Sequence, residues 1–214
     1  MTLLVGGWTV KSMNTALSRL EAMLNQRAPA LAAALAPGRP AEELAAWRGP
    51  DGAPLPGEAL ALYAWRDGGR TPAARQALPT LLPGLHLLSF AHAARLRSGL
   101  GFVRLSMPWF PVAWDDYGSS TLMAVQPPER ARLRVLDPEL FAGPGAMGPT
   151  FGSLTELVRI AAEGWEVGLL ALGQDGGLRH GPGLLDLLPS GAGWADYAET
   201  LRTGEADSCD PTLG

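Results

Sequence analysis

Residues 106–126, SMPWFPVAWDDYGSSTLMAVQ, constrain the fold of this chain more than any other stretch. An apolar run from Pro108 to Trp114 is followed by the polar segment Asp115-Asp116-Tyr117-Gly118-Ser119-Ser120 and a second apolar run, Thr121-Leu122-Met123-Ala124-Val125. Aromatic and β-branched residues flanking an Asp/Gly/Ser cluster predict an antiparallel hairpin with a turn longer than two residues. Trp109, Phe110, Trp114 and Tyr117 fall within it. Rings this large dominate the buried apolar area, so the core is expected to form against this hairpin, with Trp109 largely buried.

The rest of the chain supplies what would cover it. Val10, Met13, Leu17, Leu20 and Leu24 recur at helical spacing and predict an amphipathic helix over about residues 10–25. Short helices are expected over residues 29–35 and again after Pro40, where proline opens the first turn and Glu42 and Glu43 lie near the positive end of the dipole. Residues 49–57, GPDGAPLPG, are expected to form a long, mobile loop by their Pro/Gly density. Pro56 introduces a helix bearing Leu60 and Tyr63 on one face, ended at Asp67-Gly68-Gly69 by a glycine cap. Ser89 is placed to cap a helix running to about Ser98. Phe102–Leu105 and the alternating Arg132-Leu133-Arg134-Val135-Leu136 predict strands, the latter half-exposed, and residues 137–149 a Gly/Pro-rich loop. Ser153 and Glu156 have capping-box spacing, and Leu154, Leu157, Val158 and Ala161 form the apolar face of a helix expected to stop at Gly164. Short strands or turns are expected over residues 167–188 and a last helix over 194–201. Helices, then strands, then helices give an α+β fold with a central, mostly antiparallel sheet flanked by helices. The organisation expected is a helical extension over residues 1–40 packed on a domain spanning 41–202, with a flexible tail from 203 to 214.

Chemistry is sparse. Gly143-Pro144-Gly145-Ala146-Met147-Gly148 fits G-x-G-x-x-G literally, but Pro149 stands where a dinucleotide-binding helix would already be running. His86, His92 and His180 are the only histidines, and none has a Cys, Asp or Glu at metal-box spacing. Cys209 is the single cysteine, which excludes an intrachain disulfide and fits a reducing compartment. No catalytic residue, metal site or cofactor is assigned. Two readings stay open for the acids: Asp67 and the Asp115-Asp116 pair serve as turn residues, or they form exposed acidic spots for a partner, with Tyr117 as an anchor beside the Asp115-Asp116 carboxylates. A hydrolase or small-ligand site around His180 or Asp115-Asp116 is a further alternative.

A formal net charge of −4 makes the chain a poor holder of a phosphate backbone and a reasonable match for a basic protein. The N-terminal MTLLVGGWTVKSM lacks a basic region and a long apolar run, and no stretch approaches a membrane span, so a cytoplasmic protein is expected.

Three segments resemble the SMI1/KNR4 family, also called the SUKH superfamily. They are Leu62-Tyr63-Ala64-Trp65-Arg66-Asp67-Gly68, then Trp109-Phe110-Pro111-Val112-Ala113-Trp114-Asp115 with Gly118, and Thr150-Phe151-Gly152-Ser153-Leu154 leading into Leu157-Val158. They cover roughly residues 41–168. The family's second hairpin strand usually ends in an Asp between apolar residues, whereas Met123-Ala124-Val125-Gln126 has none. The resemblance implies a non-enzymatic binding domain. Many bacterial members are immunity proteins that neutralise a cognate toxin, often a nuclease, and fungal relatives are interaction scaffolds in cell-wall signalling. It therefore implies a protein partner, basic if it is a nuclease, and no cofactor.

Overall fold

The computed structural model describes residues 10–69, 80–99, 109–115, 121–125, 132–136, 147–150, 152–174, 177–190 and 192–208. The strand expected at Phe102–Leu105 and the turn residues 116–120 lie outside these.

The chain is α+β. Helices α1 (Val10–Arg27) and α2 (Pro29–Ala34) lead into strand β1 (Leu35–Pro37), followed by α3 (Ala41–Ala46), α4 (Gly57–Trp65) and β2 (Arg66–Gly69). Then come β3 (Thr80–Leu82), β4 (Leu85–Leu87), α5 (Phe90–Gly99), β5 (Trp109–Asp115), β6 (Thr121–Val125), β7 (Arg132–Leu136) and β8 (Met147–Thr150). The chain continues with α6 (Leu154–Glu166), β9 (Leu170–Leu172), β10 (Leu178–His180), α7 (Leu184–Leu187) and α8 (Ala192–Ser208). Strands β3 to β8 form a six-stranded sheet in sequence order, each neighbour antiparallel, while β1 pairs with β2 and β9 with β10.

The predicted hairpin is β5–β6, with Trp109 opposite Val125 and Trp114 opposite Thr121. Strand β5 lies inside the sheet, and Trp109 through Ala113 are all buried, as an unbroken apolar run on a doubly covered strand requires. Pro111 is an interior proline. It has no N–H for the ladder, and the register to β6 slips between Pro111 and Ala113, the bulge such a residue demands. Its carbonyl is used instead by the buried Tyr63 hydroxyl of α4, which donates to it at 3.3 Å.

Around β5 the aromatic core closes. Phe110 stacks on Phe90 at 5.4 Å between ring centroids and meets Trp47 and Tyr63 edge-on at 5.0 and 5.6 Å. On the other side of the molecule α1 and α6 run parallel. Met13 Sδ lies 3.5 Å from Thr155 Oγ1 at one end, and Arg27 donates to the Glu166 carbonyl at 2.9 Å at the other, beside the Arg19–Glu166 ion pair. Met13, Leu17, Leu20 and Leu24 are buried in the same core as Leu157, Val158, Ala161 and Trp165, so the N-terminal helix is part of the apolar interior.

Several local expectations are corrected. Helix α6 continues through Gly164 to Glu166: a Cβ at Gly164 would meet Leu170 side-chain atoms at 3.0 Å, so this glycine serves close packing, and the left-handed turn comes at Gly168, φ 77°. Met147–Pro149, expected within a loop, belongs to β8. That strand is the last of the sheet, where a proline leaves no inner ladder bond unmade. Arg66–Gly69 ends the helix with Gly68 left-handed at φ 63°, as expected, and in addition pairs as β2 with β1. Residues 49–57 are no open loop: Arg48 bridges Pro54, and Gly49 N–H donates to the Ala53 carbonyl at 2.8 Å. Helix α8 extends to Ser208 rather than ending near Leu201, since no proline interrupts it before Pro211.

Candidate functional site

Of the acids singled out in the sequence, Asp67 is held inside the fold. It follows α4 directly, and its side chain is 17% exposed. One oxygen accepts the Phe90 N–H at the start of α5 at 2.6 Å, and the other accepts from Arg39 Nη1 at 3.1 Å. Together with Ser89 Oγ, which accepts the His92 N–H at 3.3 Å, it satisfies the free amides of that helix's first turn. Arg39 also lies 5.2 Å from the centre of the Phe90 ring and bonds Glu43 at 2.5 Å. The hydrogen bond to Glu43 and then the contact with Asp67 raise the pKa of Arg39 against the opposing effect of burial. Both Asp67 oxygens are thereby committed to internal donors, a cap for α5 and a tie to Arg39.

Asp115 ends β5, in register with Leu85 of β4. The backbone thus places it at the end of the strand. Asp116 and Tyr117 lie outside the described residues. Before Asp115, Trp114 is half-buried, stands in register with His86 of β4, and meets the His92 ring edge-on at 4.8 Å. Burial, and then the neighbouring Arg95 charge, lower the pKa of His92 and favour its neutral imidazole. His180 lies on β10 with Nδ1 3.4 Å from the Gly181 carbonyl. Among the described residues no three His, Cys, Asp or Glu side chains cluster as a metal site would need. A void of about 10 Å³ between the sheet and α6 is lined by Leu81, Leu85, Leu87, Val112, Ala113, Leu154 and Leu157, all apolar.

Two ionic constellations escaped the sequence reading. Glu58, in the first turn of α4, accepts from Leu154 N–H at 3.0 Å, Thr155 N–H at 3.2 Å and Thr155 Oγ1 at 2.5 Å. Its charge sits on the positive end of α6, adding to the Ser153 cap that accepts the Glu156 N–H at 3.1 Å. Glu58→Ala should lower stability by about 2–3 kcal/mol in a urea melt, because it strips three donors at once, and Glu58→Gln should recover part of that. The second constellation is Arg97 of α5, 2% exposed, lying 4.0 Å over the Trp109 ring and paired with Asp51 at 2.5 Å. Glu58 stands where any first-turn acid would, and Asp51 in an ordinary Asp-Gly turn. Their partners, α6 and α5, are remote in sequence, so composition gave no signal.

No family model matches the chain, and no curated protein matches its sequence. No helix among the described residues is long and apolar enough to cross a membrane.

Proposed function

We propose that this chain is a non-enzymatic protein-binding domain of the SMI1/KNR4 type, acting as an immunity protein that captures and neutralises a basic toxin, a nuclease in the first instance. One observation carries the reading: the three segments that bear the resemblance, scattered along the sequence, meet in space. Tyr63 of the first bonds Pro111 of the second, Glu58 of the same helix caps the third at Leu154 and Thr155, and Val112 shares an apolar pocket with Leu154 and Leu157. A set of motifs that builds one contact network is what a shared fold would require.

The binding surface in this reading is centred on Asp115, the last residue of β5, with Asp116 and Tyr117, which follow it in sequence. A nuclease surface made basic to grip phosphates would gain association rate and specificity from carboxylates around an aromatic anchor. The test is co-expression with the products of the neighbouring reading frames, screened for one that is toxic alone, followed by titration of the purified pair. The wild-type chain should protect cells and bind. Asp115→Arg with Asp116→Arg should weaken binding by about tenfold or more and flatten its dependence on salt, with the melt unchanged. A wild-type chain that neither protects nor binds would sink the immunity reading; a double variant that binds as before, with the same salt slope, would move the surface elsewhere.

A further inference from the structure

Arg97 is a buried cation with an incomplete set of partners. Its guanidinium carbon lies 4.0 Å from the centre of the Trp109 ring, and among the described residues its ion pair is to Asp51, whose side chain is 44% exposed on the turn between Trp47 and Leu55. That pair is monodentate. Asp51 Oδ2 accepts from Arg97 Nη2, while Oδ1 is turned back to the Ala53 N–H at 3.2 Å. Arg97 Nε, the donor lying alongside Nη2 on the same edge of the guanidinium, is buried without a hydrogen-bond partner among the described residues, and so is Trp109 Nε1. A carboxylate bound side-on would take Nε and Nη2 together, the two-bond geometry arginine is shaped for and Asp51 does not achieve. The turn backbone is fixed, with Trp47 anchored against Phe90 and Phe110 on one side, Leu55 and Pro56 buried on the other and Gly49 N–H bonded to the Ala53 carbonyl, so release of the seat needs only rotation of the half-exposed Asp51 side chain.

We propose that Arg97 and Trp109 form a carboxylate-binding site which Asp51 occupies as a built-in ligand, and that a carboxylate presented by a partner, from an acidic side chain or a chain terminus, displaces it. The proposal does not rest on the immunity reading, and it asks for the opposite charge from the hairpin turn: an acid on the partner. Asp51 keeps the cation neutralised until that acid arrives, so an empty buried charge, costly in itself, never has to exist.

The experiment follows the Arg97 Nε–H resonance of the full chain by nuclear magnetic resonance while acetate replaces chloride at constant ionic strength. In Asp51→Asn the resonance should shift saturably, with an affinity about tenfold above that of the wild type, where Asp51 competes. Gly49→Ala provides a second route, because a Cβ there would lie 2.7 Å from Asp51 Oδ1 and push the carboxylate off its seat. Peptides then separate the two sources: a triglycine with a free C-terminus against a terminally blocked Gly-Asp-Gly. An Nε–H resonance that moves no more in acetate than in chloride, in the wild type and in whichever variants fold, would make the Arg97–Asp51 pair purely structural and overturn the proposal.

Discussion

Phe110→Ala should destabilise the protein by about 3–5 kcal/mol, read as a lower urea midpoint at unchanged slope. The side chain is 0% exposed, and three other rings, Trp47, Tyr63 and Phe90, rest on it from α4, from α5 and from the segment after α3. Those neighbours are held by their own backbone elements and cannot collapse into the space. The loss should therefore contain a cavity contribution besides the transfer of one ring from water. Phe110→Leu, which refills most of the volume, should lose less than half as much. Equal losses for the two substitutions would mean that the ring geometry, rather than the volume, is what the core requires.

Trp109→Ala should cost a similar amount, about 3–5 kcal/mol, for a partly different reason. The indole is 1% exposed, and one face is covered by the Arg97 guanidinium at 4.0 Å. Removing it opens a void and also takes away the surface on which a buried cation rests. A double-mutant cycle with Arg97→Met isolates that second part, with an expected coupling of about 1–2 kcal/mol. Additive losses would show that the cation and the ring are merely adjacent.

The elements legible from sequence were those whose signal is local. Helix α1 announced itself through five apolar residues at helical spacing, α6 through Ser153 and Glu156, and the β5–β6 hairpin through aromatic runs around a polar turn. Gly164 and Pro149 misled for a shared reason: each residue type has two uses, and context decides which. A glycine can end a helix or admit a neighbour such as Leu170, and a proline can break a strand or sit harmlessly on an edge. The candidate site was less readable. Asp67 has the composition of an exposed turn acid, yet both its oxygens are occupied, because the α5 amides and Arg39 that claim them lie in other parts of the sequence. Glu58 and Arg97 were invisible for the same reason. Hydrogen-bond partners 96 and 46 positions apart leave no periodic trace.

The parallel seating of α1 on α6 has a consequence for how the chain is made. The sheet from β3 to β8 is a meander that can zip up as each strand emerges, but Met13 and Thr155 are separated by 142 positions. During synthesis the first helix must wait, its apolar stripe of Met13, Leu17, Leu20 and Leu24 covered only in part by α2 and α4, until the ribosome has released α6. Closing so long a loop is slow, and the waiting stripe is a surface to which chaperones, or other nascent copies, can adhere. A chain cut short before Leu154 would keep most of its strands and yet never acquire the cover its first helix was written for.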